Sequence, residues 1–184
     1  MMPALSGPSR PPASGGRPSR LVILLHGLGA DGNDLIGLAP YWAPQLPTAE
    51  FVAPNAPFPC DMAPYGYQWF SAQDRSPAAV LAGVRAAAPL LDDFIDDALA
   101  ERALDDGDLA LVGFSQGTMM SLFVGLRRAK PAAGIVGRPR SPGCVRRRYE
   151  YRKCNPRNAG SLINDSDCFC CRRRPCGTWA CCQH

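Results

Sequence analysis

Hydrophobic positions along this chain follow two rhythms. Short unbroken apolar runs, "LVILL" at 21–25, "LALVGF" at 109–114 and "AAGIVG" at 132–137, stand between glycine-rich or polar stretches. That is the pattern of strands covered on both faces in a parallel sheet. "AEFVAP" at 49–54 is a further strand candidate. The second rhythm begins at Ser76, which with Pro77 makes a good helix start, the serine as N-cap and the proline in the first turn. Beyond it Val80, Val84, Ala87, Leu91, Phe94 or Ile95, and Ala98 recur at steps of three and four. One face of that helix is predicted to pack on the sheet, while Arg85, Asp92, Asp93, Asp96 and Asp97 mostly face water. Pro89 removes one helical hydrogen bond and is expected to kink it.

Other segments fill the pattern. "DLIGLAPYWAPQL" reads as a short helix interrupted by Pro40 and Pro44, "DDGD" at 105–108 as a turn, and "QGTMMSLFVGLRRAK" at 116–130 as a helix. Its last turn carries Arg127, Arg128 and Lys130, cations that suit the negative end of the helix dipole. Residues 55–76 mix proline, glycine and aromatics without a steady period; such a long loop is either functional or a cover over the sheet. Strands alternating with helices predict an α/β domain with a parallel sheet.

Composition divides the chain unevenly. The 184 residues are 46% hydrophobic and 20% charged, with net charge +4, a globular average for one domain. Residues 1–137 hold 9 Lys+Arg against 13 Asp+Glu (net −4), and residues 138–184 hold 11 against 3 (net +8). Eight of the nine cysteines lie in the last 47 residues, and Cys60 stands alone before them. Residues 1–19, rich in Pro, Ser, Gly and Arg and without a signal-peptide core, are expected to be a disordered leader. No stretch approaches the roughly 18 consecutive apolar residues of a membrane span, so a cytoplasmic protein with no integral membrane segment is expected. The aspartate run from 92 to 97 has no spacing of a known cation loop and reads as a solvated face.

The candidate chemistry is centred on Ser115, in the pentapeptide G-F-S-Q-G between a strand and a helix. When a strand enters a helix through a very sharp turn, the apical residue is forced into a strained conformation and its side chain stands clear of the sheet. Small residues at 113 and 117 make that turn sterically possible. The serine would then sit at a helix N-terminus, with the backbone N–H of Gln116 directed where an oxyanion forms. Taken alone, G-x-S-x-G is also what a glycine-rich chain produces by chance; the buried strand before it and apolar helix after it favour the elbow. A second donor is the Leu28 N–H in "HGLGADGND", directly after the first strand, where glycines let an amide approach closely. That loop read by itself is equally a glycine turn closing a strand. Only two histidines, His26 and His184, are available as a base.

"LVILLHGLGADGNDLIGLA", "FVAPNAPFP", "GYQWFS" and "LALVGFSQGTMMSL", in that order from about residue 20 to Gly137, closely resemble the carboxylesterase/phospholipase branch of the α/β-hydrolases, which includes acyl-protein thioesterases. The resemblance implies an α/β-hydrolase fold and a serine hydrolase for carboxylic ester, thioester or lysophospholipid acyl groups, with no cofactor; no nucleic-acid partner is expected. It implies Ser115 as nucleophile and the Leu28 and Gln116 amides as the oxyanion hole. His26 matches the family's strand-end histidine, which shapes the loop and is not the base. Trp69 and Phe70 match a segment bordering the acyl pocket.

After Gly137 the resemblance stops, and the fold is expected to be incomplete at its C-terminal side. A family member would supply an aspartate and then a histidine there, in the order Ser, Asp, His. Asp167, 52 residues after Ser115, and His184, the last residue, are the candidates the sequence offers, but the neighbours of Asp167 depart from the family and a base at the chain's end has little packing to orient it. The Arg/Cys-rich tail over 138–184, expected to be poorly ordered, admits three readings. Its cysteines suggest a metal module, though not at zinc-ribbon spacing; its arginine triplets at 146–148 and 172–174 suggest phosphate contacts, though with few aromatic partners. The favoured reading is a change of reading frame near codon 137, which a G-D-x-D stretch and later histidine in another frame of the coding DNA would mark. Two functions follow: a serine carboxylesterase acting through an acyl-enzyme, or a non-catalytic product, either a truncated hydrolase or a Cys/Arg-rich binding protein.

Overall fold

The computed structural model describes residues 5–138; Asp167, His184 and the rest of the Arg/Cys-rich tail lie outside the described residues. Twelve elements follow one another: β1 (Ser9–Arg10), β2 (Arg20–Leu25), α1 (Gly32–Ile36), α2 (Ala39–Trp42), β3 (Ala49–Val52), β4 (Phe58–Pro59), β5 (Tyr67–Gln68), α3 (Pro77–Arg102), a 3₁₀ turn (Asp106–Asp108), β6 (Leu109–Phe114), α4 (Gln116–Gly125) and β7 (Gly134–Arg138). Five strands form one sheet in the order β1-β3-β2-β6-β7, parallel except for β1. β4 and β5 make a small antiparallel pair, joined to the loop after β2 by a bridge between Ala30 and Tyr67.

The unbroken apolar runs are explained by the two covered faces. Along β2, Leu21, Ile23 and Leu25 join one core with α3 and α4, while Val22 and Leu24 join a second core with α1 and α2. Successive side chains of a strand point to opposite faces, so a strand between two helical layers has no solvent side. All five of these residues are at most 4% exposed. β6 repeats the pattern, with Leu109 and Leu111 on the first face and Val112 on the second.

The helices follow their local signals, with one difference. Ser76 caps α3, its side chain accepting from the Ala79 N–H at 3.3 Å, and Val80, Val84, Ala87, Leu91, Ile95 and Ala98 are buried as the spacing predicts. α1 and α2 are separated just before Pro40, which lies in the first turn of α2. α4 ends at Gly125 rather than running to Lys130. Arg128 is thereby freed from a helical last turn and reaches Asp92 and Asp96 on α3 and Asp106 on the 3₁₀ turn. Part of the acidic face of α3 is therefore ion-paired, although Asp96 stays exposed.

The leader expected over residues 1–19 is corrected in its described part. Ser9 and Arg10 pair antiparallel with Val52 and Phe51, and the Ala53 and Asn55 N–H groups donate to the Pro8 and Ser6 carbonyls, both at 2.9 Å. Its prolines preset extended chain, and the edge of β3 offers backbone groups that need partners. The irregular stretch at 55–76 likewise contains β4 and β5, too short to show a period. Among the described residues, no helix is long and apolar enough to cross a membrane.

Candidate active site

β2 runs on to β3 on one side and β6 runs on to β7 on the other, so the chain reverses its direction of travel across the sheet between β2 and β6. The carboxyl ends of two such strands leave a crevice into which both following loops project. Here the loops are His26–Ala30 after β2 and the turn at Phe114–Gln116 after β6. The ladder between them runs from Leu21 opposite Leu109 to Leu25 opposite Gly113, which places the two loops side by side.

Ser115 stands at the apex of the second loop with φ 53 and ψ −114, in the region a side chain occupies only at a cost of about 1–3 kcal/mol. The neighbouring glycines show why the turn is so tight. A Cβ on Gly113 would lie 2.3 Å from the Gly117 carbonyl oxygen, and one on Gly117 would lie 1.9 Å from the Leu25 carbonyl oxygen. Helix α4 thus starts in direct backbone contact with both strands. The Ser115 N–H donates to the Arg138 carbonyl at 3.0 Å, and its own carbonyl accepts from Thr118. Its side chain makes no capping bond to the helix, which leaves the hydroxyl uncommitted to α4.

The first loop reaches the serine directly: a Cβ on Gly27 would come within 3.1 Å of the Ser115 Cβ. His26 organises this loop and is itself fully buried. The Ala56 N–H donates to its Nε2 at 2.9 Å, so that nitrogen carries no proton; Nδ1 holds it and donates to the Gly27 carbonyl at 2.7 Å. Burial lowers its pKa, outweighing the raising effects of the Gly27 bond and of Asp31 and Asp34. The Gly27 oxygen also accepts from the Ala30 N–H at 3.3 Å. Because the Gly27 carbonyl and the Leu28 N–H are opposite ends of one planar trans peptide, two bonds at the oxygen fix the direction of the Leu28 amide. Among the described residues, neither the Leu28 N–H nor the Gln116 N–H donates to a backbone carbonyl.

Each sequence candidate can now be placed. Ser115, Leu28 and Gln116 come from loops 87 residues apart and meet at the same end of the sheet. His26, the one histidine among the described residues, has both ring nitrogens occupied by backbone partners and none left to accept a proton from Ser115. Trp69 and Phe70 are buried, 0% and 6% exposed; Trp69 packs 5.9 Å from the His26 ring, and Phe70 presses on Gly83 of α3. The sequence reading missed the Gln116 side chain, which is 5% exposed and bonded to the backbone of Trp69 and Phe70. A glutamine opening an apolar helix, where a surface residue would be usual, is the only signal that pointed to it.

Known proteins resemble this chain in sequence and in fold. The chain is 34% identical over 127 residues to acyl-protein thioesterase 1 of Schizosaccharomyces pombe, covering 63% of this chain and 53% of that protein. The crystal structure of esterase PE8 is 47% identical with a TM-score of 0.68, over 71% of this chain and 61% of that one. A phospholipase/carboxylesterase from Dyadobacter fermentans, at 22% identity and TM-score 0.51 over 73% and 61% of the two chains, shares the fold. The chain thus spans about half the length of the thioesterase and about three fifths of these solved structures. The family model for phospholipases and carboxylesterases matches residues 12–139, beginning inside the segment expected as leader and ending where the resemblance does, and this α/β-hydrolase chain belongs to that family.

Proposed function

We propose that the chain is a serine hydrolase of carboxylic esters or thioesters, lysophospholipids included, that works through an acyl-enzyme on Ser115. The Ser115 Oγ adds to the acyl carbonyl carbon while its proton passes to a general base. The Leu28 and Gln116 N–H groups hold the resulting oxyanion. Collapse breaks the C–O or C–S bond, and the leaving oxygen or sulfur takes the proton back from the base, so that a neutral alcohol or thiol departs. Water then adds to the acyl-enzyme, releases the carboxylic acid and restores the serine. No step calls on a cofactor. The observation that carries this reading is the strained Ser115 beside two backbone amides that, among the described residues, donate to no carbonyl, at the crevice between β2 and β6. Among the described residues the one histidine, His26, has both ring nitrogens committed to backbone partners; the sequence offers His184 as the base and Asp167 as its acid, both outside those residues.

Labelling of the full chain with a fluorophosphonate probe tests the proposal. The serine oxygen displaces fluoride from phosphorus, so labelling is expected in the parent and absent in Ser115→Ala. Equal signals, or none in either, would remove Ser115 as an activated nucleophile and favour a non-catalytic member of the family.

A further inference from the structure

Trp69 joins the two loops that carry the proposed oxyanion donors. Its backbone N–H donates to Gln116 Oε1 at 3.1 Å, and its indole Nε1–H donates to the His26 carbonyl at 3.0 Å. Gln116 Nε2 completes the set by donating to the Phe70 carbonyl at 2.9 Å. Gln116, Trp69, Phe70 and His26 are all buried, so no water stands ready to replace a broken bond.

The position of this set matters because the parallel ladder does not extend to the site. Its last register pair is Leu25 with Gly113, one residue short of His26 and two short of Ser115. Past that pair the alignment of loop and elbow falls to other contacts. One end of the set is the side chain of the residue whose backbone donates one amide; the other is the carbonyl two residues before the second amide. A shift of the elbow along the crevice must therefore stretch the Trp69–Gln116 bond or the Trp69–His26 bond.

We propose that the Gln116 side chain and Trp69 are positioning residues that hold the Leu28 and Gln116 amides in register with each other. This rests on the assignment of Ser115, Leu28 and Gln116 given above. It adds that the same residue, Gln116, serves the site through two separate groups: its N–H faces the reacting oxygen and its carboxamide sets the distance to the opposite loop. A donor displaced by about 1 Å loses most of its effect on the transition state and little of its effect on ground-state binding.

The test uses the full chain and Gln116→Met, which keeps the side-chain length and removes both bonds. Fluorophosphonate labelling is resolved into the maximal rate and the half-saturating probe concentration. The maximal rate is expected to fall about tenfold to a hundredfold, with half-saturation changed by less than about threefold. A second measurement is independent of activity. The Trp69 indole N–H, assigned in ¹⁵N spectra by its loss in Trp69→Phe, is expected to exchange with deuterium at least about tenfold faster in Gln116→Met. If the parent labels and Gln116→Met, still folded, labels within about twofold of it, the proposal is overturned. If the parent does not label, the proposed function falls and this inference is judged by exchange alone: faster exchange supports it and an unchanged rate overturns it. Should Gln116→Met fail to fold, Gln116→Glu, which retains an acceptor for the Trp69 N–H and loses the donor to Phe70, is held to the same two criteria.

Discussion

Replacing Ser115 by glycine should stabilise the protein relative to replacing it by alanine. Both substitutions delete the hydroxyl, and neither removes a capping bond, because the side chain makes none. They differ in the Cβ, which alanine keeps at φ 53. Holding a non-glycine residue there costs about 1–3 kcal/mol; glycine releases that strain but loses roughly 0.5–1 kcal/mol more chain entropy on folding. The balance favours glycine by about 1 kcal/mol, or about 2–4 °C in melting temperature for a chain of this size. Ala103, the left-handed cap of α3 at φ 54 and ψ 43, provides a control far from the chemistry. Ala103→Gly should gain about 1 kcal/mol for the same reason, with labelling of Ser115 intact. Urea unfolding of the four proteins checks both statements. Were Ser115→Gly no more stable than Ser115→Ala while Ala103→Gly gained as expected, the elbow would not be strained and its backbone angles would need another explanation.

Three further outcomes follow from single contacts. Gly117→Ala would put a methyl group 1.9 Å from the Leu25 carbonyl oxygen and 2.8 Å from that of His26; a loss of about 3 kcal/mol or more is expected in urea unfolding, and an unchanged midpoint would refute the close approach of α4 to β2. Arg128→Met should cost about 1–3 kcal/mol, because Asp106, 13% exposed, loses its cation, with little added by the more exposed Asp92 and Asp96; a loss under about 0.3 kcal/mol in the same assay would show that the cluster does not bind α3 to the turn before β6. The lowered pKa of His26, due first to burial, makes the unfolded chain the better proton acceptor. Its contribution is complete above the unfolded value of about 6.5 and declines as pH falls toward the folded value, with a limiting slope of about 1.4 kcal/mol per pH unit. In His26→Gln that part of the acid slope should vanish, and identical slopes in parent and variant would contradict the neutral, buried assignment.

Much of this architecture was legible because burial on two faces leaves an unmistakable record. A strand such as Leu21–Leu25 has no polar residue because it has no solvent side, and Gly113 and Gly117 stand where backbones touch. What escaped the reading depends on partners distant in sequence. β1 holds through backbone bonds to β3, and a backbone bond leaves no trace in composition; its Pro/Ser/Gly content described an unpaired chain correctly but not the edge waiting for it. The end of α4 at Gly125 was hidden because Arg127, Arg128 and Lys130 suit a helix terminus equally well, whereas the carboxylates that claim Arg128 lie 36, 32 and 22 residues away. The carboxamide of Gln116 carries little signal in the local sequence, since its partners at Trp69 and Phe70 are 47 and 46 residues off.

The pairing of β2 with β6 also sets an order of events during synthesis. Leu21 meets Leu109 across 88 residues, and Leu28 is added to the growing chain 87 residues before Ser115. At roughly 5–20 residues per second that gap lasts on the order of 4–17 seconds. Through this interval β2, apolar on both faces, has only β3 and the intervening helices to cover it, and one whole flank of the strand awaits β6. A nascent chain of this kind is most exposed to self-association just before Ser115 is translated, so the strand that leads into Ser115 also closes the most vulnerable edge of the unfinished sheet.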